Sequence, residues 1–159
     1  MDEHALRSLV TSIARQVTDA PRDITLAEAQ ALAAYIRSKA REMGVNAVIA
    51  VSNRGARPIL VECMDDAYIA SYDVALQKAF TVVALKMSTN DLKPLAQPGG
   101  SLYGIQFTND SHIVIFGGGE PLTDPNGNIV GGLGVSGGTE EQDTALAAYG
   151  KQFFEKGGK

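Results

Sequence analysis

The stretch Ile129-Val130-Gly131-Gly132-Leu133-Gly134-Val135-Ser136-Gly137-Gly138-Thr139-Glu140-Glu141-Gln142 decides how the chain is read, because two incompatible folds can be argued from it. Gly132-Leu133-Gly134-Val135-Ser136-Gly137 fits the G-x-G-x-x-G pattern between a strand and a helix, the fingerprint of a dinucleotide loop. That loop also requires a second parallel strand after the helix and an acidic residue about 20 positions further on. The sequence stops at the end of the helix, so the dinucleotide reading is set aside for a sheet strand whose glycines admit another backbone. In an extended strand Ile129, Gly131, Leu133 and Val135 face one way and Val130, Gly132, Gly134 and Ser136 the other. The second face is nearly bare. Each strand glycine costs about 0.5–1 kcal/mol relative to alanine, so something should pack on that face: a helix of the same chain, a second subunit or a flat ligand.

Upstream of this strand, Pro125-Asn126-Gly127 joins it to Glu120–Thr123 as a hairpin, and Thr139 to Gln142 has the spacing of a capping box for a last helix carrying Leu146, Tyr149 and Phe153. Tyr103–Thr108 and Ile113–Phe116 are strand candidates around Asn109-Asp110-Ser111. The first half is helix-rich. Leu6, Leu9, Val10, Ile13 and Val17 mark a helix over residues 4–18 that Pro21 ends, and Thr25 with Glu28 caps a second helix that runs to Gly44. Val45–Val51 and Ile59–Met64 are strands around Ser52-Asn53-Arg54-Gly55. Asp65 or Asp66 can cap a third helix with Ile69, Tyr72, Leu76, Ala79, Phe80, Val83 and Met87 on its stripe, and Ser88 with Asp91 opens a short helix closed at Pro98. Gly157-Gly158-Lys159 reads as a frayed end. Hairpin connections outnumber crossovers, so the expected architecture is α+β: one antiparallel sheet flanked by helices, in a single domain over 1–159.

Composition agrees and removes several function classes. A chain of 159 residues can bury roughly 70% of its unfolded surface without staples. Of 17 glycines only Gly44 and Gly55 precede residue 99, so the two halves are built differently. A net charge of −4 gives no electrostatic footprint for nucleic acid or an anionic membrane. No run reaches the length of a membrane span, and the acidic start Met1-Asp2-Glu3-His4 is unlike a signal peptide, which points to the cytoplasm. A single cysteine excludes internal disulfides and cysteine-rich zinc sites.

Few residues carry chemistry on spacing alone. Gly137-Gly138-Thr139 opens the last helix, where free N–H groups favour an anion such as a carboxylate unless Thr139 and Gln142 satisfy them. Gly117-Gly118-Gly119-Glu120-Pro121 is either a tight bulge between strands or the rim of a ligand site. His4 and His112 have no His or Cys partner at ligand spacing and read as surface residues. Cys63, at the end of an apolar run, reads as a small buried hydrophobe. Lys78 lies beside the buried stripe of the third helix, where an ammonium needs a partner unless it snorkels to the surface, the commoner outcome.

Three ordered motifs carry a resemblance: Ser71-Tyr72-Asp73-Val74-Ala75-Leu76-Gln77-Lys78-Ala79-Phe80-Thr81, then Gln97-Pro98-Gly99-Gly100-Ser101-Leu102-Tyr103-Gly104, then Phe116 to Leu122 continuing to Gly134 through Asp143. Together, over residues 24–155, they resemble the GlcG/HbpS-like family, which also includes the C-terminal domain of PduO-type cobalamin adenosyltransferases. Residues 1–20, with the first helix, lie outside the resemblance. It implies a profilin-like fold with a five-stranded antiparallel sheet, homo-oligomers that are often octamers, and haem binding, in a setting of glycolate, propanediol or glycerol utilisation. On it, the chain is expected to be a cytoplasmic tetrapyrrole-binding accessory protein. Lys78, Gly118, Gly119, Gly137, Gly138 and Thr139 would line the site, with Lys78 and the Gly137-Gly138-Thr139 helix start meeting carboxylates, Tyr103 would pack on or ligate the ring, and His112 or His4 would ligate haem iron. An enzyme for a small carboxylate or aldehyde using Lys78 and Tyr103, or a non-catalytic assembly module, are the alternatives. Asn53 and Cys63 stand where the family usually has Asp and Arg, so no acid or ion-pair role is carried to them.

Overall fold

The computed structural model describes residues 2–18 and 22–158. Helix α1 spans Glu3–Thr18 and α2 spans Leu26–Glu42; strands β1 (Val48–Asn53) and β2 (Pro58–Cys63) form the first hairpin. Helices α3 (Ile69–Leu85) and α4 (Thr89–Ala96) follow, then 3-10 turns at Ile105–Phe107 and Asn109–Ser111, the hairpin of β3 (Gly119–Thr123) and β4 (Ile129–Ser136), and α5 (Glu140–Glu155). The stop expected at Pro21 and the last residue of the frayed end, Lys159, lie outside the described residues.

Local chemistry sets most of the boundaries. The Thr25 hydroxyl accepts from the Glu28 N–H while the Glu28 carboxylate takes the Thr25 N–H, and Thr139 and Gln142 repeat this at α5. Ser88 accepts from Asp91 N–H to start α4, and Gly44, at φ +67°, ends the second helix. The third helix differs from expectation at both ends. Its N-cap is Tyr68, without a side-chain bond, and not Asp65 or Asp66; it stops at Leu85, short of Met87, with Lys86 left-handed.

The sheet is antiparallel in the order β2-β1-β4-β3. On one face Ile49, Val51, Leu133 and Val135 meet Leu32, Ala33 and Ile36 of α2 and Leu146 and Ala147 of α5 in the main core. On the other face Val48 and Ala50 pack against Ala75 and Ala79 of α3. The bare face of β4 is therefore covered by a helix of the same chain. A Cβ on Gly134 would enter the Ala75 carbonyl and one on Gly132 the Ala79 carbonyl, so the missing side chains let α3 lie directly on the strand. Hydroxyls close the contact: Ser52 Oγ donates to the Ala79 carbonyl at 3.1 Å, and Ser136 Oγ to Ser71 Oγ at 3.1 Å.

The sheet has four strands where five were expected. Tyr103–Thr108 cannot extend, because Gly104 stands at φ +89° and the chain turns into a 3-10 helix. Asn109, Asp110 and Ser111 are all left-handed, at φ 51°, 53° and 61°, each in a conformation that strains an L-residue. Ile113 and Val114 are buried, but the Val114 N–H goes to Thr81 Oγ1 at 3.0 Å and not to a strand. Cys63 corrects a second expectation: it is exposed, because it closes the edge strand. Among the described residues no helix is long and apolar enough to cross a membrane.

Candidate functional site

At the end of the sheet, where β4 feeds α5, the glycine motifs meet α3 around Lys78. Its side chain is fully buried, which overturns the snorkelling reading, and among the described residues it is the largest of the fully buried side chains. The ammonium donates to Asp143 Oδ2 at 3.0 Å and to the Val135 carbonyl at 2.7 Å, and lies 5.0 Å from the Phe116 ring centroid. Burial pushes the Lys78 ammonium down and the Asp143 carboxyl up from their ordinary values, and their mutual attraction opposes both shifts. Asp143 also accepts the Gly138 N–H, at 2.9 Å through Oδ1. The carboxylate that Lys78 meets is thus the chain's own, and an acid/base role on substrate has no open path to this ammonium.

Gly118 and Gly119 form a tight bulge over this pair. Gly118 holds φ +109°, a Cβ there would crowd Lys78 Nζ at 2.6 Å, and its carbonyl accepts the Val135 N–H at 2.8 Å. Gly119 N–H donates to Thr89 Oγ1 at 2.9 Å, and Gly117 N–H to Glu140 Oε1 at 2.9 Å. Glu140 also accepts from Lys93 at 2.7 Å, and these bonds, Gly117's first, hold its carboxyl below the ordinary value of 4.5. At the start of α5 the Gly138 N–H is taken by Asp143 and the Thr139 N–H by Gln142, so the first turn supplies its own acceptors. A cleft of about 420 Å³ beside it is lined by Gly137, Gly138, Thr139, Asp66 and Tyr68.

The remaining expected residues lie outside this buried centre. His4 is exposed on α1. His112 is exposed at the end of the left-handed turn, its ring edge-on to Phe80 with centroids 5.8 Å apart. Thr81 Oγ1 donates to the Gln77 carbonyl at 2.7 Å and accepts the Val114 N–H at 3.0 Å, which ties the segment after that turn to α3. Tyr103 in the same segment is 65% exposed, and Phe107, which spacing did not single out, is 77% exposed; Phe116 shows its outer side. Exposed apolar rings can pack on a flat apolar ligand, and among the described residues no acidic group is bonded to the His112 imidazole, whose nitrogens can ligate a metal. Asp143 was also missed. In sequence it is an ordinary acidic residue of a first helical turn, and only the position of Lys78, 65 residues earlier, gives it a buried partner.

A family model described as haem degrading protein HbpS-like matches residues 24–152. An uncharacterised 15.0 kDa protein from the dhaT–dhaS intergenic region of Citrobacter freundii is 47% identical over 133 residues, 84% of this chain and 93% of that one. The corrinoid adenosyltransferase PduO of the same organism is 38% identical over 109 residues, 69% of this chain but 32% of PduO, so the chain spans about a third of that relative. The solved structure of a PduOC:haem complex superposes with a TM-score of 0.78 at 32% identity, covering 82% of this chain and 94% of that one.

Proposed function

The chain belongs to the HbpS-like family, and on that premise we propose that it is a cytoplasmic, self-associating haem- or tetrapyrrole-binding accessory protein of cobalamin-dependent glycerol or propanediol metabolism. The observation that carries the reading is the presentation of His112: an exposed imidazole on a strained left-handed turn, in a segment that leaves Tyr103 and Phe107 open to solvent. Strain of this kind persists where the surroundings enforce it, and it gathers at ligand sites. The residue types suit haem: His112 would supply a nitrogen for the iron, Tyr103, Phe107 and Phe116 would supply apolar contact, and bound haem would contribute a redox-active iron. Lys78 is committed to Asp143, and of the two imidazoles His112 is favoured over His4 as the iron ligand because it follows the segment that carries the exposed Tyr103 and Phe107. Self-association is supported by Ile69, 96% exposed, beside Tyr68 and Tyr72 at the start of α3, an apolar surface that a second copy would cover. The PduO and dhaT–dhaS relatives support the metabolic setting.

Titration with haemin tests the reading. The wild-type chain should give a shifted Soret band that saturates at micromolar haemin, and His112→Ala should lose the ligand-field signature of the shift while keeping the fold by circular dichroism. An unshifted, unsaturated wild-type titration would sink the haem assignment; an unchanged His112→Ala spectrum would remove His112 as ligand.

A further inference from the structure

On the far side of β3 and β4 from α5, a cleft of about 640 Å³ opens between the β1–β2 turn, the end of α3 and the β3–β4 hairpin. Its floor is apolar, from Val83, Pro121 and Ile129, and Arg54 and Lys86 stand exposed in its wall. Among the described residues no aspartate or glutamate lines it. The cleft beside Arg37 and Arg41 differs in this respect, since Glu62 and Asp65 stand in its own wall and Glu62 is paired with Arg37. Among the described residues neither the Arg54 guanidinium nor the Lys86 ammonium is in an ion pair. The carboxylates that approach from outside are engaged by other donors: Asp23 accepts the Arg54 backbone N–H at 2.9 Å, Asp124 accepts from Asn126 and Asn128, and Glu155 accepts from Thr123.

Lys86 is also in the wrong backbone conformation for its type. It follows the last residue of α3 at φ 56°, ψ 37°, the left-handed position where helices usually place glycine. A lysine at a glycine position, lining a cleft with a second unpaired cation and an apolar floor, has its charge free for a ligand. We propose that this cleft binds a small dicarboxylate, its two acidic groups at Arg54 and Lys86 and its carbon body on Val83, Pro121 and Ile129. The two cations supply charge-assisted hydrogen bonds to the acidic groups, and among the described residues lining the cleft no carboxylate competes for them.

The left-handed position makes the test clean, because Lys86→Gly removes the ammonium while relaxing the backbone. Calorimetric titration of the full chain with glutarate, with glutaramide as its uncharged analogue, should show saturable binding of glutarate alone that weakens as salt is raised. Lys86→Gly and Arg54→Gln should each weaken glutarate binding at least tenfold, with the Lys86→Gly melting temperature equal to or above wild type. Equal binding of glutaramide, unchanged affinity in Lys86→Gly, or inorganic phosphate competing as well as glutarate would each overturn the proposal. Haemin titration of both variants separates this site from the haem reading: an unaltered Soret response is expected, and loss of haemin binding in either would assign the cleft to the porphyrin and overturn the dicarboxylate.

Discussion

Replacing Lys78 by methionine should be among the most damaging single substitutions in this protein. The methionine fills most of the volume, so the cost is electrostatic: Asp143, 4% exposed, keeps the Gly138 N–H but loses its cation, and the Val135 carbonyl loses a charged donor. Breaking one side of a buried pair costs about 3–5 kcal/mol. At roughly 2–4 °C per kcal/mol for a domain of this size, the melting temperature should fall by about 6–20 °C. Two further measurements separate this cause from misfit. Without the ammonium, burial drives the Asp143 carboxyl further above its ordinary 3.8, so the folded state binds a proton that the unfolded state has released. The deficit of Lys78→Met should therefore shrink as the pH falls toward that value. In the double variant Lys78→Met, Asp143→Leu no charge is left behind, and it should be more stable than Lys78→Met at neutral pH. Urea unfolding followed by circular dichroism reads both effects. A loss in Lys78→Met below about 1 kcal/mol, or a double variant whose loss is the sum of the two single losses, would refute the buried-pair account.

Two glycines that look alike in sequence should behave differently. Gly134→Ala places a methyl inside the backbone of α3 at Ala75, so it should cost more than about 3 kcal/mol and yield little folded protein, whereas Gly150→Ala meets the end of the Ile36 side chain, which can turn aside, and should cost roughly 1–2 kcal/mol in thermal melts. Glu140 makes a pH prediction. Its folded carboxyl lies below 4.5, so its stabilisation is present above that value and is lost as the pH falls through the folded one; Glu140→Gln should be less stable than wild type at pH 7, and the two acid-unfolding curves should converge once the pH has fallen below the folded value.

Where a short-range rule sufficed, the sequence was enough. The capping boxes at Thr25 and Thr139, the stop at Gly44 and the hairpin at Pro125-Asn126-Gly127 each depend on residues within a few positions, and each appears in the structure where spacing put it. The 103–116 segment was misread because Tyr103, Ile105 and Phe107 alternate like a strand, while three successive left-handed residues and the demand of Val114 for Thr81 are long-range outcomes. The family motifs marked the glycine loops, but not whether those glycines serve a ligand or the fold. Alternation along β4 established by itself that one face is bare, since side-chain direction in a strand is a local property. What covers that face, and what partner Lys78 finds, depended on α3 crossing the sheet so that Ala75 and Ala79 settle on Gly134 and Gly132 and carry the ammonium to Asp143. Sequence separation carries no information about such contacts; they arise only when burying apolar surface brings distant segments together and leaves each buried charge to find its counterpart.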